Sequence, residues 1–333
     1  MKAFHLAWIR FAVCLFCSSA AFLPADCRSS ESSLGTRRPV IRKLGTIDCD
    51  LVETTPIVFR NTLYRFEWVR ASYRKNTLQK DHFRLVEHDT GRSTPPFALG
   101  YQFGSAFVEN GAVYVTGTYK SSQGDHIRMF RSEDLKHWDS WIVFDQPGFG
   151  IFNTSVCKAG PEYVLMFEID KPAEQAGVPF TARFLKSRDL RNWQLTPPEC
   201  NYSKDRYSAP HCLRYLDGLF YDFYLEAYEG YEMRVVRSRD LVHWEASPLN
   251  PVLRASGDDR RIANPRLTEE ERGRIGSARN INNSDLDFCE FGGRLVINYS
   301  WGNQQGIEFL AEAVYEGTEA DFLRAWFPEA RWR

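Results

Sequence analysis

The stretch of sequence that decides the fold is RSEDLKHW at residues 131–138. It returns as KSRDLRNW at 186–193 and as RSRDLVHW at 237–244, so the shared pattern is basic-Ser-x-Asp-Leu-x-x-Trp. The three tryptophans lie 55 and then 51 residues apart. A period of this length is typical of repeated supersecondary units such as propeller blades. We expect a structural motif whose Asp accepts hydrogen bonds from turn amides, while its Leu and Trp pack between neighbouring sheets.

Hairpin signals divide the remaining sequence into five units. Asn-Gly at 110–111 and Asp-Gly at 217–218 each separate two apolar runs, as in tight β-hairpins. We therefore predict an all-β fold, a five-bladed β-propeller with four-stranded antiparallel blades over residues 48–333. Blades two to four carry the Trp motif. A capping-box pattern at 318–321 predicts a short C-terminal helix.

The first 47 residues are expected to precede the propeller. Residues 1–21 combine positive charge, a short apolar run and small residues, which is typical of a secretory signal peptide. Residues 22–47 are rich in Ser and Arg without hydrophobic period, and we expect a flexible leader there. These features predict a secreted or periplasmic protein. Six cysteines follow the signal, which permits disulfides whose pairing the sequence does not reveal.

The overall charge excludes two classes of partner. The chain has 333 residues and a formal net charge of -1. This balance provides no general attraction to nucleic acid or to an anionic membrane, so we expect neither, and we expect a monomer. The cysteines lack the close spacing of metal sites, so we expect no metal and no cofactor. The sequence leaves open whether a structural cation lies in the propeller channel.

Carboxylates occupy comparable positions in several units. Because blade strands are antiparallel, the start of the first strand and the end of the second lie on one face. Glu67, Glu168 and Glu226 each fall at a second-strand end among apolar residues, where a carboxylate is costly unless it is paired or used. Asp285 and Asp287 share one face of a strand. Two close carboxylates push their pKa values apart, so an acid and a base can coexist.

Four more residues are candidates for binding at this face: Glu53, Asn153, His211 and Trp301. His211 begins a channel-facing strand, and Trp301 could stack on a sugar ring or belong to the core. A structural alternative applies to the glutamates, because nearby arginines could pair with them; these arginines are Arg65, Arg70, Arg183 and Arg234.

Five blades, Ser-x-Asp-Leu-x-x-Trp corners and carboxylates at the channel together resemble the five-bladed β-propeller glycosidases, the group of glycoside hydrolase families 43, 32, 62, 68 and 117. The resemblance covers about residues 48–328. Family 43 implies an Asp at the start of blade one, an Asp in blade three and a Glu-Gly-Pro acid in blade four. This chain departs from that pattern, with Thr-Thr-Pro at 54–56, Asn-Thr-Ser at 153–155 and Ser-Ala-Pro at 208–210.

The resemblance implies an exported glycoside hydrolase that acts on an oligosaccharide or polysaccharide at the channel mouth. We expect Asp285 as base or nucleophile, Glu168 and Glu226 as acid and pKa modulator, and the other candidates as substrate-binding residues. Two alternatives stay open. The missing family carboxylates favour a carbohydrate-binding propeller without catalysis. The Arg-rich segment 250–280, long enough to fold over the pocket, would instead suit a sugar phosphorylase or transferase.

Overall fold

The computed structural model describes residues 38–227 and 230–328. The signal peptide expected at 1–21 and the leader up to residue 37 lie outside these ranges. The first strand begins at Arg42, so the sheet includes six residues that the sequence analysis assigned to the leader. No helix in the described part of the chain is long and apolar enough to cross a membrane.

The described chain is nearly all β-strand. Its strands are β1 (Arg42–Cys49), β2 (Thr54–Phe59), β3 (Thr62–Val69), β4 (His82–Glu87), β5 (Gln102–Glu109), β6 (Ala112–Tyr119), β7 (His126–Ser132), β8 (Asp139–Asp145), β9 (Gly150–Ala159), β10 (Glu162–Lys171), β11 (Thr181–Ser187), β12 (Gln194–Leu195), β13 (Asn201–Tyr202), β14 (His211–Leu216), β15 (Leu219–Ala227), β16 (Tyr231–Ser238), β17 (Trp244–Ala246), β18 (Asn282–Phe291), β19 (Arg294–Gly302) and β20 (Glu308–Tyr315). The helices are α1 (Ala173–Ala176), α2 (Glu269–Ser277) and α3 (Glu319–Ala325), with a 3-10 turn at Gly257–Arg260.

Antiparallel pairing sorts the strands into five consecutive groups. Group 1 is β2-β3-β4, group 2 is β5 to β8, and group 3 is β9 to β12 with β13 beside β11. Group 4 is β14 to β17, and group 5 is β18-β19-β20 completed by β1. A single parallel bridge between Tyr231 and Asn282 joins groups 4 and 5 into one eight-stranded sheet. The chain's first strand thus completes the last group.

The first strands of the five groups pack side by side. β2 packs against β5, β5 against β9, β9 against β14, β14 against β18, and β18 returns to β2. The residues that begin these strands therefore face a common centre. A small channel of about 30 Å³ runs there between Thr54, Ser105, Thr154 and Cys212.

The repeated motif forms the same turn in groups 2, 3 and 4. In the first copy, Ser132 Oγ accepts the amide of Leu135 at 2.8 Å, and Asp134 Oδ1 accepts the amides of Lys136 and His137, each at 2.8 Å. The other two copies repeat all three bonds. The Leu has a left-handed φ of 63°, 61° or 66°. The Asp therefore holds the turn, as the sequence predicts.

The Leu and Trp of each copy pack against the preceding group. Leu135 and Trp138 join a core cluster with Ile57 and Phe59 of group 1. The Trp138 ring stacks on that of Phe97, with centroids 3.8 Å apart. In the same way, the third copy packs against group 3. The predicted role of the motif in the seams between sheets is confirmed.

Two smaller expectations were resolved by the structure. Thr318 and Asp321 form the predicted capping box at the start of α3. The cysteines of the described residues carry free thiols; they are Cys49, Cys157, Cys200, Cys212 and Cys289.

Leu135→Ala tests the seam. Leu135 is 6% exposed, so truncation should lower the free energy of unfolding by about 2–5 kcal/mol because it leaves a cavity between groups 1 and 2. The left-handed backbone conformation strains Ala as much as Leu, so backbone strain contributes nothing to the difference in stability between the variant and the wild type. Urea denaturation measures the change. Lys136→Ala, in the same turn but exposed, is the matched control and should change stability little. Equal effects would refute the packing role.

Candidate active site

Four carboxylates from distant parts of the sequence line one cavity of about 230 Å³. Glu53 precedes β2, Glu168 lies near the end of β10, and Asp285 lies near the start of β18. Asn153 lines the cavity beside them, as do Arg70 and Glu308, which the site prediction did not include. The structure thus brings together four of the nine predicted site residues, two of them assigned to catalysis.

Irregular backbone directs two of these carboxylates. Glu53 and Asp285 have left-handed φ values of 49° and 53°, and Phe103, also in the cavity wall, has 51°. The ladder of β18 is interrupted between Ser284 and Asp287, around Asp285. Left-handed conformations of non-glycine residues cost free energy and cluster at functional sites. A bulge of this kind redirects a side chain that regular pairing would place elsewhere.

Glu168 is wholly buried and accepts two neutral hydrogen bonds. Asn153 Nδ2 donates to Oε2 at 3.0 Å, and the His211 amide donates to Oε1 at 3.0 Å. Burial raises the pKa of Glu168 to about 8, although the charge of His211 and these hydrogen bonds oppose the rise. The carboxyl group is therefore mostly protonated at neutral pH, as a general acid requires.

His211 supports Glu168, and its side chain does not line the carboxylate cavity. Its side chain is fully buried, Nδ1 lies 2.8 Å from Asp222 Oδ2, and Nε2 lies 2.8 Å from the Ser208 carbonyl. Burial alone would lower the pKa of His211, but Asp222 outweighs it and raises the pKa to about 9. Both ring nitrogens are occupied, so the expected direct contact with a sugar is wrong.

Asp285 is the carboxylate that ionises more readily. Ser284 Oγ donates to its Oδ2 at 2.6 Å. Burial raises the pKa of Asp285 to about 6, and the hydrogen bond from Ser284 opposes the rise. The pKa of Asp285 is thus lower than that of Glu168, so one cavity holds a carboxylate and a carboxylic acid at neutral pH.

Glu53 belongs to an ion-pair bridge. Arg70 donates to Glu53 at 3.2 Å and to Glu308 at 3.0 Å. Burial raises the pKa of Glu53 to about 8 although Arg70 opposes the rise. Arg70 itself would lose basicity on burial, but the two carboxylates outweigh this and raise its pKa. The bridge connects group 1 to group 5 at the cavity.

An aromatic wall faces the carboxylates. Phe152 lies between Phe103 and Phe180, with ring centroids 5.2 and 4.3 Å away, and Tyr207 lies 5.9 Å from Phe180. Lys120 Nζ lies 3.6 Å from the centre of the Phe152 ring. Apolar walls with a few convergent polar groups are typical of small-molecule sites. Sequence reasoning missed these aromatics, although Phe152 and Tyr207 directly adjoin the segments 153–155 and 208–210 that it selected.

Glu226 belongs to an ion-pair cluster. Its carboxylate lies 3.0 Å from Arg206 Nε and 3.4 Å from Arg234 Nε, and it also accepts a hydrogen bond from Tyr224 at 2.9 Å. It is not among the residues that line the carboxylate cavity. The structure therefore does not bring Glu226 together with Glu168 and Asp285, and it places Arg234 beside Glu226, as the structural alternative expects.

The remaining predicted binding residues also lie elsewhere. Glu67 is wholly buried between Arg65 (2.8 Å) and Arg84 (2.6 Å). Trp301 is 0% exposed and donates to Thr46, so it belongs to the core and cannot stack on a sugar. Asp287 lines the central channel, where it accepts from the Phe288 amide at 2.7 Å and pairs with Arg214.

The Arg-rich segment does not cover the cavity. None of its arginines between residues 254 and 279, all within the described range, lines that cavity. The segment packs on β1 instead, where the amide of Thr46 donates to the Arg261 carbonyl at 2.7 Å. Arg274 pairs with Asp50, and Arg254 with Glu232. The predicted position over the pocket is wrong, because the segment packs against β1 instead.

No protein-family model matches the sequence, and no curated protein matches it significantly. Solved structures do resemble it. The protein BT0996, solved in a complex with RGII, shares 10% identity at a TM-score of 0.57, over 86% of this chain and 95% of that one. The α-L-arabinofuranosidase PaAbf62A from Podospora anserina, solved with cellotriose, shares 10% identity at a TM-score of 0.56, over 86% of this chain and 99% of that one. The GH43 endo-arabinanase from Bacillus licheniformis shares 13% identity at a TM-score of 0.51, over 80% of this chain and 95% of that one.

These structures identify the fold class. The chain has the β-propeller fold of the family 43 and 62 glycoside hydrolases, as the sequence resemblance implies. Within the described residues, no group of three or more His, Cys, Asp or Glu side chains is arranged to hold a metal ion.

Glu168→Gln tests the buried carboxyl group. Between about pH 4.5 and 8 the folded protein keeps a proton on Glu168 that the unfolded chain releases, so wild-type stability should fall as pH rises through this window. Gln does not titrate, so the melting temperature of the variant should fall less between about pH 5 and 9. His211 titrates in both proteins. Parallel pH profiles would contradict a buried, protonated Glu168.

Proposed function

We propose that this chain is a glycoside hydrolase on a five-bladed β-propeller, with its active site in the cavity that contains Glu168 and Asp285. The five antiparallel strand groups and the ring of their first strands support the blade number. This cavity brings together carboxylates from groups 1, 3 and 5 at the centre of the strand groups. Function is argued from this site, because a fold alone hosts many activities.

The observation that carries the proposal is the convergence of Glu168 and Asp285, each with a neutral hydrogen-bond donor, in one cavity. Glycoside hydrolysis needs a carboxylic acid to protonate the leaving oxygen and a carboxylate on the other side of the sugar. Burial raises the pKa of Glu168 to about 8 and that of Asp285 only to about 6. Glu168 is thus assigned as the acid, and Asp285 as the base or nucleophile. Glu53 lies beside them, with its carboxyl group 3.2 Å from Arg70.

The substrate is proposed to be an oligosaccharide or polysaccharide. The aromatic wall offers apolar ring faces, and the polar groups opposite offer hydrogen-bond partners for hydroxyls. The structures similar to this chain include an endo-arabinanase and an arabinofuranosidase, so arabinose- and xylose-containing glycans come first in a screen. Export to the periplasm or medium, action as a monomer and independence from cofactors complete the proposal.

The phosphorylase alternative loses its support because the arginines that motivated it contact β1 and its neighbours rather than the cavity. The carbohydrate-binding alternative predicts a different arrangement, with the pocket carboxylates neutralised by arginines. Glu53 fits that description, but Glu168 and Asp285 accept hydrogen bonds from neutral groups. Their arrangement favours catalysis.

Substitution of the carboxyl groups should separate the structural assignment from the sequence prediction. Glu168→Gln and Asp285→Asn should each lower kcat/KM by about 100- to 10,000-fold, because each removes an acid or base. Glu226→Gln should retain most activity, because Glu226 lies in an arginine cluster. The assay uses aryl arabinosides and xylosides, arabinan and xylan. Glycan binding without turnover by the wild type would contradict hydrolysis and favour the binding alternative.

The pH dependence should follow the two carboxyl groups. Activity requires ionised Asp285 and protonated Glu168, so kcat/KM should rise through about pH 6 and fall through about pH 8. An aryl glycoside with a dinitrophenolate leaving group needs no protonation. For this substrate the alkaline fall should disappear, and Glu168→Gln should recover activity. An alkaline limb that persists with this substrate would exclude Glu168 as the acid.

A further inference from the structure

A buried lysine meets an asparagine side chain between β1 and β18. Lys43 Nζ lies 2.6 Å from Asn283 Oδ1, and the carbon bonded to that oxygen is the electrophilic centre of the amide. The Lys43 side chain is 9% exposed, and Asn283 is 0% exposed. Bound reactants attack from separations of roughly 3–3.5 Å between reacting atoms, so a direct contact between the amine and the amide places the pair close to that range.

Asp259 contacts both reacting groups through different oxygens. Its Oδ1 lies 2.7 Å from Lys43 Nζ, and its Oδ2 accepts from Asn283 Nδ2 at 3.2 Å. Asp259 is 0% exposed and is fixed by the Tyr299 hydroxyl at 2.8 Å and by Asn280 Nδ2 at 2.7 Å. One carboxylate thus reaches the amine and the amide nitrogen at once, which is the geometry of a proton carrier.

Burial disfavours the charged form of Lys43. Burial lowers the pKa of Lys43, although Asp259 opposes the change. Lys43 Nζ also donates to the Arg254 carbonyl at 2.7 Å and lies 3.2 Å from Ser256 Oγ. The Tyr299 ring lies 5.3 Å away and shields one side. Desolvated lysines are the ones that act as nucleophiles in proteins.

We propose that Lys43 and Asn283 form an intramolecular isopeptide bond, with Asp259 as the proton carrier. The lysine first transfers a proton to Asp259. The Nζ lone pair then forms a bond to the amide carbon of Asn283, and the bond from that carbon to Nδ2 breaks. Nδ2 takes up one proton through Asp259 and leaves as ammonia, while Nζ loses a second proton to Asp259. The reaction needs no oxidant and no other reactant.

The bond would join the outermost and innermost strands of group 5. β1 is held to this group by its pairing with β20, and Asn283 lies two residues before Asp285. A covalent link would therefore keep the first strand in place and restrain the backbone that presents Asp285. The inference stands on Lys43, Asp259 and Asn283 alone and does not depend on the proposed hydrolase activity.

The intact mass of the purified wild-type protein tests the proposal. The mass should be about 17 Da below that of the same chain with free side chains, which corresponds to loss of ammonia. Trypsin should release a branched peptide in which residues 43–60 are joined to residues 280–294, with no cleavage after Lys43. An unchanged mass, meaning a stable ion pair only, would overturn the proposal. A loss of about 18 Da would also overturn it, since water would leave from Asp259 instead.

Two variants provide the controls. Lys43→Arg keeps a positive charge beside Asp259 but lacks the nucleophilic amine, and it should show the full mass. Asp259→Asn keeps hydrogen-bonding groups but cannot carry the proton, and it should also show the full mass after the same time. Circular dichroism confirms that both are folded. Formation of the branched peptide in Asp259→Asn at the wild-type rate would contradict the role of Asp259.

Discussion

The antiparallel pairing of β1 with β20 is the contact on which the rest of the structure depends. β20 would otherwise present an open edge at the end of the last strand group. Because β1 comes from the start of the chain, the pairing also brings the first and last groups together. Glu53 follows β1 by four residues, and Arg70 pairs with Glu308 at the start of β20. The cavity therefore takes part of its lining from the first group and part from the last group.

Burial raises the pKa of a carboxyl group in this structure unless a charged partner opposes it, so the partner of each buried carboxyl group decides whether it is ionised. Glu67 and Glu168 are both 0% exposed. Burial would raise the pKa of Glu67, but Arg65 and Arg84 outweigh it and lower the pKa, so Glu67 is a permanent anion in a structural pair. Glu168 has an amide and a backbone N–H as hydrogen-bond donors, and its pKa rises. A buried carboxyl group that keeps its proton near neutral pH is suited to acid catalysis.

The sequence predicts the fold well because the motif acts locally. All three copies of the turn depend on hydrogen bonds within six residues, so their pattern is visible in the chain. The site is less predictable. Glu168 and Glu226 occur in similar apolar contexts, but Glu226 meets Arg206 from a separate loop, and sequence spacing does not show such a partner. β1 was missed because apolar and polar residues alternate only weakly along it, and because its strand conformation depends on pairing with β20, which is distant in sequence.

The departures from the family 43 pattern now have a physical explanation. In group 1 the carboxylate sits one residue earlier, at Glu53, where a left-handed backbone turns it into the cavity. In group 3 the first strand carries Asn153, and the carboxylate lies on the neighbouring strand at Glu168, joined to Asn153 by a hydrogen bond. In group 4 the place of the acid is taken by Ser208, whose hydroxyl lies 3.2 Å from His211 Nε2.

Asn153 and Ser208 lie at two of the positions where the resemblance to family 43 implies an acidic residue, and both support Glu168. Asn153 donates directly to Glu168, and Ser208 helps to hold His211, whose backbone amide donates to the same carboxyl group. Hydrogen bonds from neutral donors favour the ionised form only moderately, and burial outweighs them. A cavity lined by residues of all five strand groups thus brings Glu168 and Asp285 together, although none of the three positions implied by the family resemblance holds a carboxylate.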